Sequence, residues 1–147
     1  MIALLQRVAQ ARVEIGGQVV GAVGAGLLML VCAEPEDTPA VASKMVDKVL
    51  KLRIFGDDQG RMNRSVQDTA GGLLIVSQFT LAADTRGGNR PSFTGAAPPV
   101  QGQALYEEVL RCARERHPVV ASGRFGADMQ VHLVNDGPVT VPLRIEP

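Results

Sequence analysis

The sequence predicts an α+β fold in one domain spanning residues 1–147, a largely antiparallel, barrel-like sheet that carries two main helices. Three observations predict it. The chain has 147 residues, 46% of them apolar, enough for one buried core without a metal or disulfide staple. Apolar residues recur at helical spacing in only two segments, 39–53 and 100–116. Elsewhere they alternate or run continuously with β-branched content, so the element order is strands, helix, strand, helix, strands.

Residues 2–8 and 10–15 are strand-like, and Gly16-Gly17 is a two-residue hairpin signal ahead of Val19-Val20. Leu27 to Ala33 is a continuous apolar run, which fits a strand buried on both faces. These runs read as an antiparallel meander. Glu34 to Pro39 is a turn in which Thr38 caps a helix and Pro39 takes its first position. Val41, Met45, Val49 and Leu52 form the inner stripe of that helix, 39–53, and residues 55–60 turn the chain again. Gly71-Gly72 leads into a strand over 73–81. Residues 84–99 are rich in Gly, Pro and small polar residues, and they exceed the ~12–15 residues usual for a structureless connection. Such loops are functional or disordered. The second helix, 100–116, turns Leu105, Val109, Cys112 and Ala113 inward and stops at His117-Pro118. Strands follow from Val119, over 129–134 and from Val139 to Ile145, with Asn135-Asp136-Gly137-Pro138 as the turn between the last two.

Lys+Arg and Asp+Glu both number 15, and zero net charge argues against a strongly basic nucleic-acid module. Between 44 and 64, however, Lys44, Lys48, Lys51, Arg53, Arg61 and Arg64 outnumber Asp47, Asp57 and Asp58, and Arg86 and Arg90 sit in the long loop. That cluster reads either as a phosphate-binding patch or as a solvated helix face. With Tyr106, four Phe and no Trp, a broad base-stacking platform is not expected. Cys32 and Cys112 lie at no metal-ligand spacing, so no metal site is expected. Their apolar and helical settings favour buried thiols over a lone disulfide. The uncharged stretch 19–33 is short of the ~20 residues of a membrane span, and the N-terminus lacks a basic leader. A cytoplasmic protein with no membrane partner is expected.

Several constellations have ordinary readings. Gly21 to Gly26 reverses the dinucleotide-binding spacing and leads into a strand, so it reads as a strand junction. His132 lies in an alternating strand, a residue of that surface rather than a general base, and no GxSxG signature is present. Asp57-Asp58 and Glu107-Glu108 read as solvated surface. Two segments stand out. Ser77-Gln78-Phe79-Thr80 ends an apolar strand with three polar side chains, which either satisfy the strand end or form a site. Asn135 to Thr140 is either a hairpin turn or a Gly-Pro pair that shows bare backbone to a ligand.

Together, Ser77 to Leu81 (SQFTL) and Asn135 to Thr140 (NDGPVT) resemble the two signature motifs of the D-aminoacyl-tRNA deacylase family. The likeness runs nearly end to end, through Gln6-Arg7-Val8, Asn89 to Phe93 and Gly123 to Ala127. A related deacylase with altered motifs acts on mischarged L-alanyl-tRNA, and Ser77, Phe79 and Asn135-Asp136 resemble the D-specific branch. The resemblance implies hydrolysis of the ester joining a D-amino acid, or glycine, to the terminal adenosine of tRNA. It implies no cofactor, and a homodimer with active sites at the interface. It assigns Gly137 and Pro138 as a cis pair that reaches into the partner's site, holds the substrate's amino group and leaves no room for an L side chain. Backbone N–H groups around Phe79 and Thr80 would stabilise the oxyanion, a nucleophilic Thr80 ranking lower for want of an adjoining base. The terminal ribose 2′-hydroxyl would help activate water. Ser77 and Gln78 would shape the adenosine pocket and Met129 would line it. Arg7 would brace the Gly-Pro loop with Asn135 in support, and Arg86, Arg90, Lys44 and Lys48 would meet tRNA phosphates. The rival readings are a non-catalytic tRNA-end binding module and a generic Ser- or Thr-dependent esterase.

Overall fold

The computed structural model describes residues 1–147 and contains two α-helices and a mixed sheet nearly closed into a barrel. Strand β1 (Ile2–Ile15) is the hub. Along one edge it pairs antiparallel first with β3 (Gly26–Cys32) and then, further on, with β2 (Gln18–Val23); along the other it pairs with β8 (Gln130–Arg144). The expected meander is therefore corrected. A meander would pair β2 with β3, but β1 is long enough to hold both in series on one edge.

Beyond β3 the sheet becomes parallel. β6 (Gly72–Ser77) lies beside β3, and β7 (Val120–Ser122) beside β6. Parallel neighbours need a crossover connection. Helix α1 (Pro39–Lys51) lies between β3 and β6 in the chain, and α2 (Pro99–Arg116) between β6 and β7. The two ends of the sheet then approach each other. A Cβ on Gly21 of β2 would run into the carbonyl oxygen of Ser122 in β7, so this contact needs a glycine.

Side chains along the central strands alternate between two cores, as the period of two requires. Leu27, Met29, Val31, Leu73 and Ile75 pack under the helices with Val41, Met45, Val49 and Val109. Leu28, Leu74 and Val76 face the opposite side with Val8, Val13 and Val23, where Met129, Val131 and Leu133 cover them. Each such side chain contributes roughly 1.5–3 kcal/mol of burial. Val41, Met45, Val49, Leu105, Val109, Cys112 and Ala113 are all buried as expected, whereas Leu52, expected in the α1 stripe, is the helix C-cap and only partly buried, because the helix ends at Lys51.

Several local readings are revised. Thr38 occupies the α1 N-cap, but its side chain makes no capping bond. Residues 55–64 form a small hairpin, β4 (Phe55–Gly56) with β5 (Met62–Arg64), rather than a turn alone. The loop after residue 84 is tied by an antiparallel bridge, Asp84 with Ser92, and is not structureless. The strand expected over 73–81 ends at Ser77, and Phe79–Ala82 is a 3₁₀ turn. The reason is the ladder: β7 stops opposite Ile75 and β3 opposite Ser77, so the backbone beyond has no strand to pair with. Residues 135–138 are not a hairpin turn but stay within β8. Cys32 and Cys112 are buried free thiols, and no helix is long and apolar enough to cross a membrane.

Candidate active site

The end of β6 is where the polar residues gather. The N–H of Gln78 donates to the Val31 carbonyl at 2.8 Å, the last rung before the chain turns. Within the 3₁₀ turn, Leu81 N–H donates to Gln78 O at 3.2 Å. Phe79 and Thr80 thus supply the opening N–H groups, which have no acceptor within the turn. Gln78 Nε2 donates to Thr80 Oγ1 at 2.5 Å, and the Cys32 thiol donates to the Phe79 carbonyl at 3.5 Å. Phe79 is 57% exposed and meets Phe93 edge-on, ring centroids 5.3 Å apart.

A cleft of about 670 Å³ opens beside this turn. It lies at the carboxyl ends of the parallel strands β3 and β6, where open α/β sheets hold their ligands. Ser77, Gln78 and Phe79 line one side, and Met129 lines another with Phe125 and Asp128. The remaining wall comes from Phe93, from Ala96 to Pro99, and from Gly102 and Tyr106 of α2. Burial pushes the Cys32 thiol up to about 11 and the Tyr106 hydroxyl up to about 12, so both line the cleft as neutral groups at pH 7. The Tyr106 hydroxyl donates to Ile75 O at 2.8 Å. The cleft is therefore mostly apolar, with a few directed polar groups, as small-ligand sites are.

Gly137 and Pro138 lie elsewhere on the chain, in an unusual bulge. Thr140 pairs with Gln6 and Asn135 with Val8, so Asp136, Gly137, Pro138 and Val139 all face the single residue Arg7. Asn135 closes the bulge from inside: its Oδ1 accepts Val139 N–H at 3.1 Å and its Nδ2 donates to Thr140 Oγ1 at 3.0 Å. Arg7 spans it from below, Nε donating to Asp136 O at 3.1 Å and Nη1 to Ile54 O at 2.8 Å. The Gly137–Pro138 peptide is cis, and both residues are exposed.

The expected site residues thus fall into separate places. Ser77, Gln78, Phe79 and Met129 come together in the cleft; Arg7, Asn135, Gly137, Pro138 and Thr80 do not line it. Lys44 and Lys48 line a groove on α1, and Arg86 lines another shallow groove, where it is bonded to Asp84 at 2.7 Å and holds that carboxyl below the usual carboxylate range. Arg90 is exposed in the loop. Both histidines are engaged away from the 3₁₀ turn, His132 with Glu14 at 3.0 Å and His117 with the Gly71 carbonyl at 2.6 Å. Sequence reasoning did not single out Cys32, Tyr106 or Asp128 for the cleft. Phe93, Phe125, Gly126 and Ala127 fell in the stretches matching the family pattern, and Ala96 to Pro99 in the long loop with its functional signal.

The fold and cleft define a class of protein: a barrel-like α+β scaffold with a preformed ligand cleft at the carboxyl ends of two parallel strands. Within that class, the chain belongs to the D-Tyr-tRNA(Tyr) deacylase family, whose profile matches residues 4–144. A protein of Methylibium petroleiphilum named D-aminoacyl-tRNA deacylase is 71% identical over 97% of this chain and 94% of its own length. One of the same name from Acidovorax ebreus is 68% identical over 100% of this chain and 99% of its own. Among solved structures, the c-Myc DNA Unwinding Element Binding Protein superposes with a TM-score of 0.95 at 40% identity, covering 100% of both chains. A probable eukaryotic D-amino acid tRNA deacylase shares the fold, with a TM-score of 0.83 at 19% identity over 98% of both chains.

Proposed function

We propose that this protein hydrolyses the ester between a D-amino acid, or glycine, and the terminal adenosine of tRNA, acting in the cytoplasm as a homodimer. The observation that carries the reading is the match, over the whole chain, to proteins named D-aminoacyl-tRNA deacylase. The cleft is consistent with the chemistry. An aminoacyl ester is already activated, so water needs a polarised carbonyl more than a strong base. The N–H groups of Phe79 and Thr80 supply that polarisation, each such donor being worth ~10²–10³ in rate. The ribose 2′-hydroxyl of the substrate assists the water. Ser77, Gln78 and Met129 hold the adenosine.

Selectivity falls to Gly137 and Pro138. They stand on an exposed bulge outside their own chain's cleft, so they act by reaching a partner's cleft. There the backbone holds the substrate's amino group and excludes an L side chain, while glycine passes. Phe79, exposed in the single chain, offers apolar surface to the same association. Arg7 and Asn135 hold the bulge in shape.

The rival is a nucleic-acid-binding module without turnover, the reading that the name of one solved relative favours. Deacylation of one tRNA charged with D-Tyr, L-Tyr or glycine, at catalytic enzyme concentration, separates the two. Loss of the D-Tyr and glycine esters with L-Tyr spared is expected; three stable esters in a folded dimer sink the enzyme reading and promote the binder.

A further inference from the structure

Helix α1 and the segment after it carry a groove lined by Lys44, Asp47, Lys48, Lys51, Arg53 and Ile145, about 540 Å³ in volume. Its charges are not balanced internally. The one carboxylate, Asp47, is engaged by Lys51 at 3.2 Å and by Arg116 at 3.6 Å. Lys44, Lys48 and Arg53 make no salt bridge; the carboxylate that Arg53 influences is Asp68, outside the groove, which hydrogen bonds from Ser65 hold below the usual carboxylate range with a smaller contribution from Arg53. Lys44 and Lys48 stand about 6 Å apart along the axis, one helical turn, on the same exposed face. A protein of zero net charge thus gathers three free cations on one concave strip.

The strip also has a position relative to the bulge. Arg53 precedes Ile54, whose carbonyl accepts Arg7 Nη1, and Arg7 Nε reaches Asp136 beside Gly137. We propose that the α1 groove is the RNA-backbone site of this protein, with Lys44, Lys48 and Arg53 each meeting a phosphate. The assignment rests on the deacylase reading and adds to it: the groove flanks the bulge, so the protomer that inserts Gly137-Pro138 into a cleft also grips the RNA entering that cleft. It sets Arg86 aside, since Asp84 already neutralises it, and leaves Arg90, exposed in the loop, outside the groove. Lysine binds phosphate as a point charge and arginine as a fork, and neither reads sequence, which suits an enzyme that must accept many tRNAs.

The test is binding of uncharged tRNA to the full chain across a salt series. The wild type is expected to show a log–log slope of about −3. The triple variant Lys44→Gln, Lys48→Gln, Arg53→Gln is expected to lose most of that slope and roughly tenfold or more in affinity at low salt. Arg111→Gln removes a cation already paired with Glu108 and Glu115, and is expected to change affinity less than about twofold. A triple variant that keeps its affinity and slope overturns the proposal. So does tighter binding of polyglutamate than of tRNA, which would assign the groove to an acidic protein. Turnover adds an independent reading: kcat/KM falls on D-tyrosyl-tRNA and not on D-tyrosyl-adenosine, which carries no phosphate, whereas an equal fall on both overturns the groove. A wild type that cleaves neither ester overturns the deacylase reading alone, and the binding result still decides the groove.

Discussion

Arg7 Nε lies 3.1 Å from the carbonyl oxygen of Asp136, one residue before the Gly137-Pro138 pair that the sequence motif singles out. With its Nη1 on Ile54 O at 2.8 Å, Arg7 is the single residue of β1 that faces four residues of β8. Lysine can replace one of these bonds but not both. Arg7→Lys is expected to cost about 1–2 kcal/mol of stability, since the side chain is mostly buried, and to lower kcat/KM on D-tyrosyl-tRNA about tenfold. Urea titration and initial-rate deacylation check the two numbers; no change in either would remove Arg7 from its bracing role.

Gly137 adopts φ +136, and a Cβ there would sit 2.7 Å from Val139 Cγ2 and 2.9 Å from Val139 N. Gly137→Ala must distort the bulge because the nearer backbone atom cannot yield cheaply. The expected loss is about 1–3 kcal/mol in stability, with a drop of tenfold or more in kcat/KM on the D-ester. Equilibrium unfolding separates the two effects, since activity is read on protein shown to be folded.

Thr80 Oγ1 accepts from the Gln78 amide, and neither histidine is free to serve it as a base. Thr80→Val keeps the Thr80 N–H in place. It is expected to retain activity within about tenfold, because the donor that matters is backbone. Loss of 10³-fold or more would instead make the hydroxyl the nucleophile.

Stability at alkaline pH follows from the raised pKa values of Cys32 and Tyr106, with the Cys112 thiol raised by burial in the same direction. Burial raises the Cys32 thiol from 9.0 to about 11 and the Tyr106 hydroxyl from 10.0 to about 12. In both cases the folded state holds the proton that the unfolded state releases. The stabilisation is complete below about pH 9 for Cys32 and about pH 10 for Tyr106. It is lost as pH rises toward 11 and 12. Denaturation midpoints measured from pH 8 to 11.5 are expected to fall, and Cys32→Ala to reduce the lower part of that fall, the rest of which Cys112 supplies.

Ala70 has φ 53, in the left-handed region, where it closes the turn before Gly71. Glycine relieves the Cβ clash but loses more freedom on folding. Ala70→Gly is expected to stabilise by about 0.5–1 kcal/mol in urea titration, and a destabilised variant would show that the methyl packs usefully.

Local pattern by itself determined the helices, their buried stripes, the buried thiols and the two motifs that carry the family likeness. Helix α1 ends at Lys51 rather than 53 and α2 starts one residue earlier than expected, small differences because helical spacing is a property of neighbouring residues. Tertiary structure alone decided what the motifs look like. Strand pairing is non-local: β1 takes both β2 and β3 on one edge, which no run of alternating residues announces. Residues 78–81 have strand composition, but the pairing ladders with β3 and β7 stop at Ser77 and Ile75, and Phe79–Ala82 form a 3₁₀ turn whose opening Phe79 and Thr80 N–H groups have no acceptor within it. Residues 135–138 have turn composition but remain in a strand, because β1 holds the register on both sides and forces four residues to bulge past Arg7. Composition states what a segment prefers; the partners on either side decide whether its backbone donors are paired in a ladder or left without a partner there.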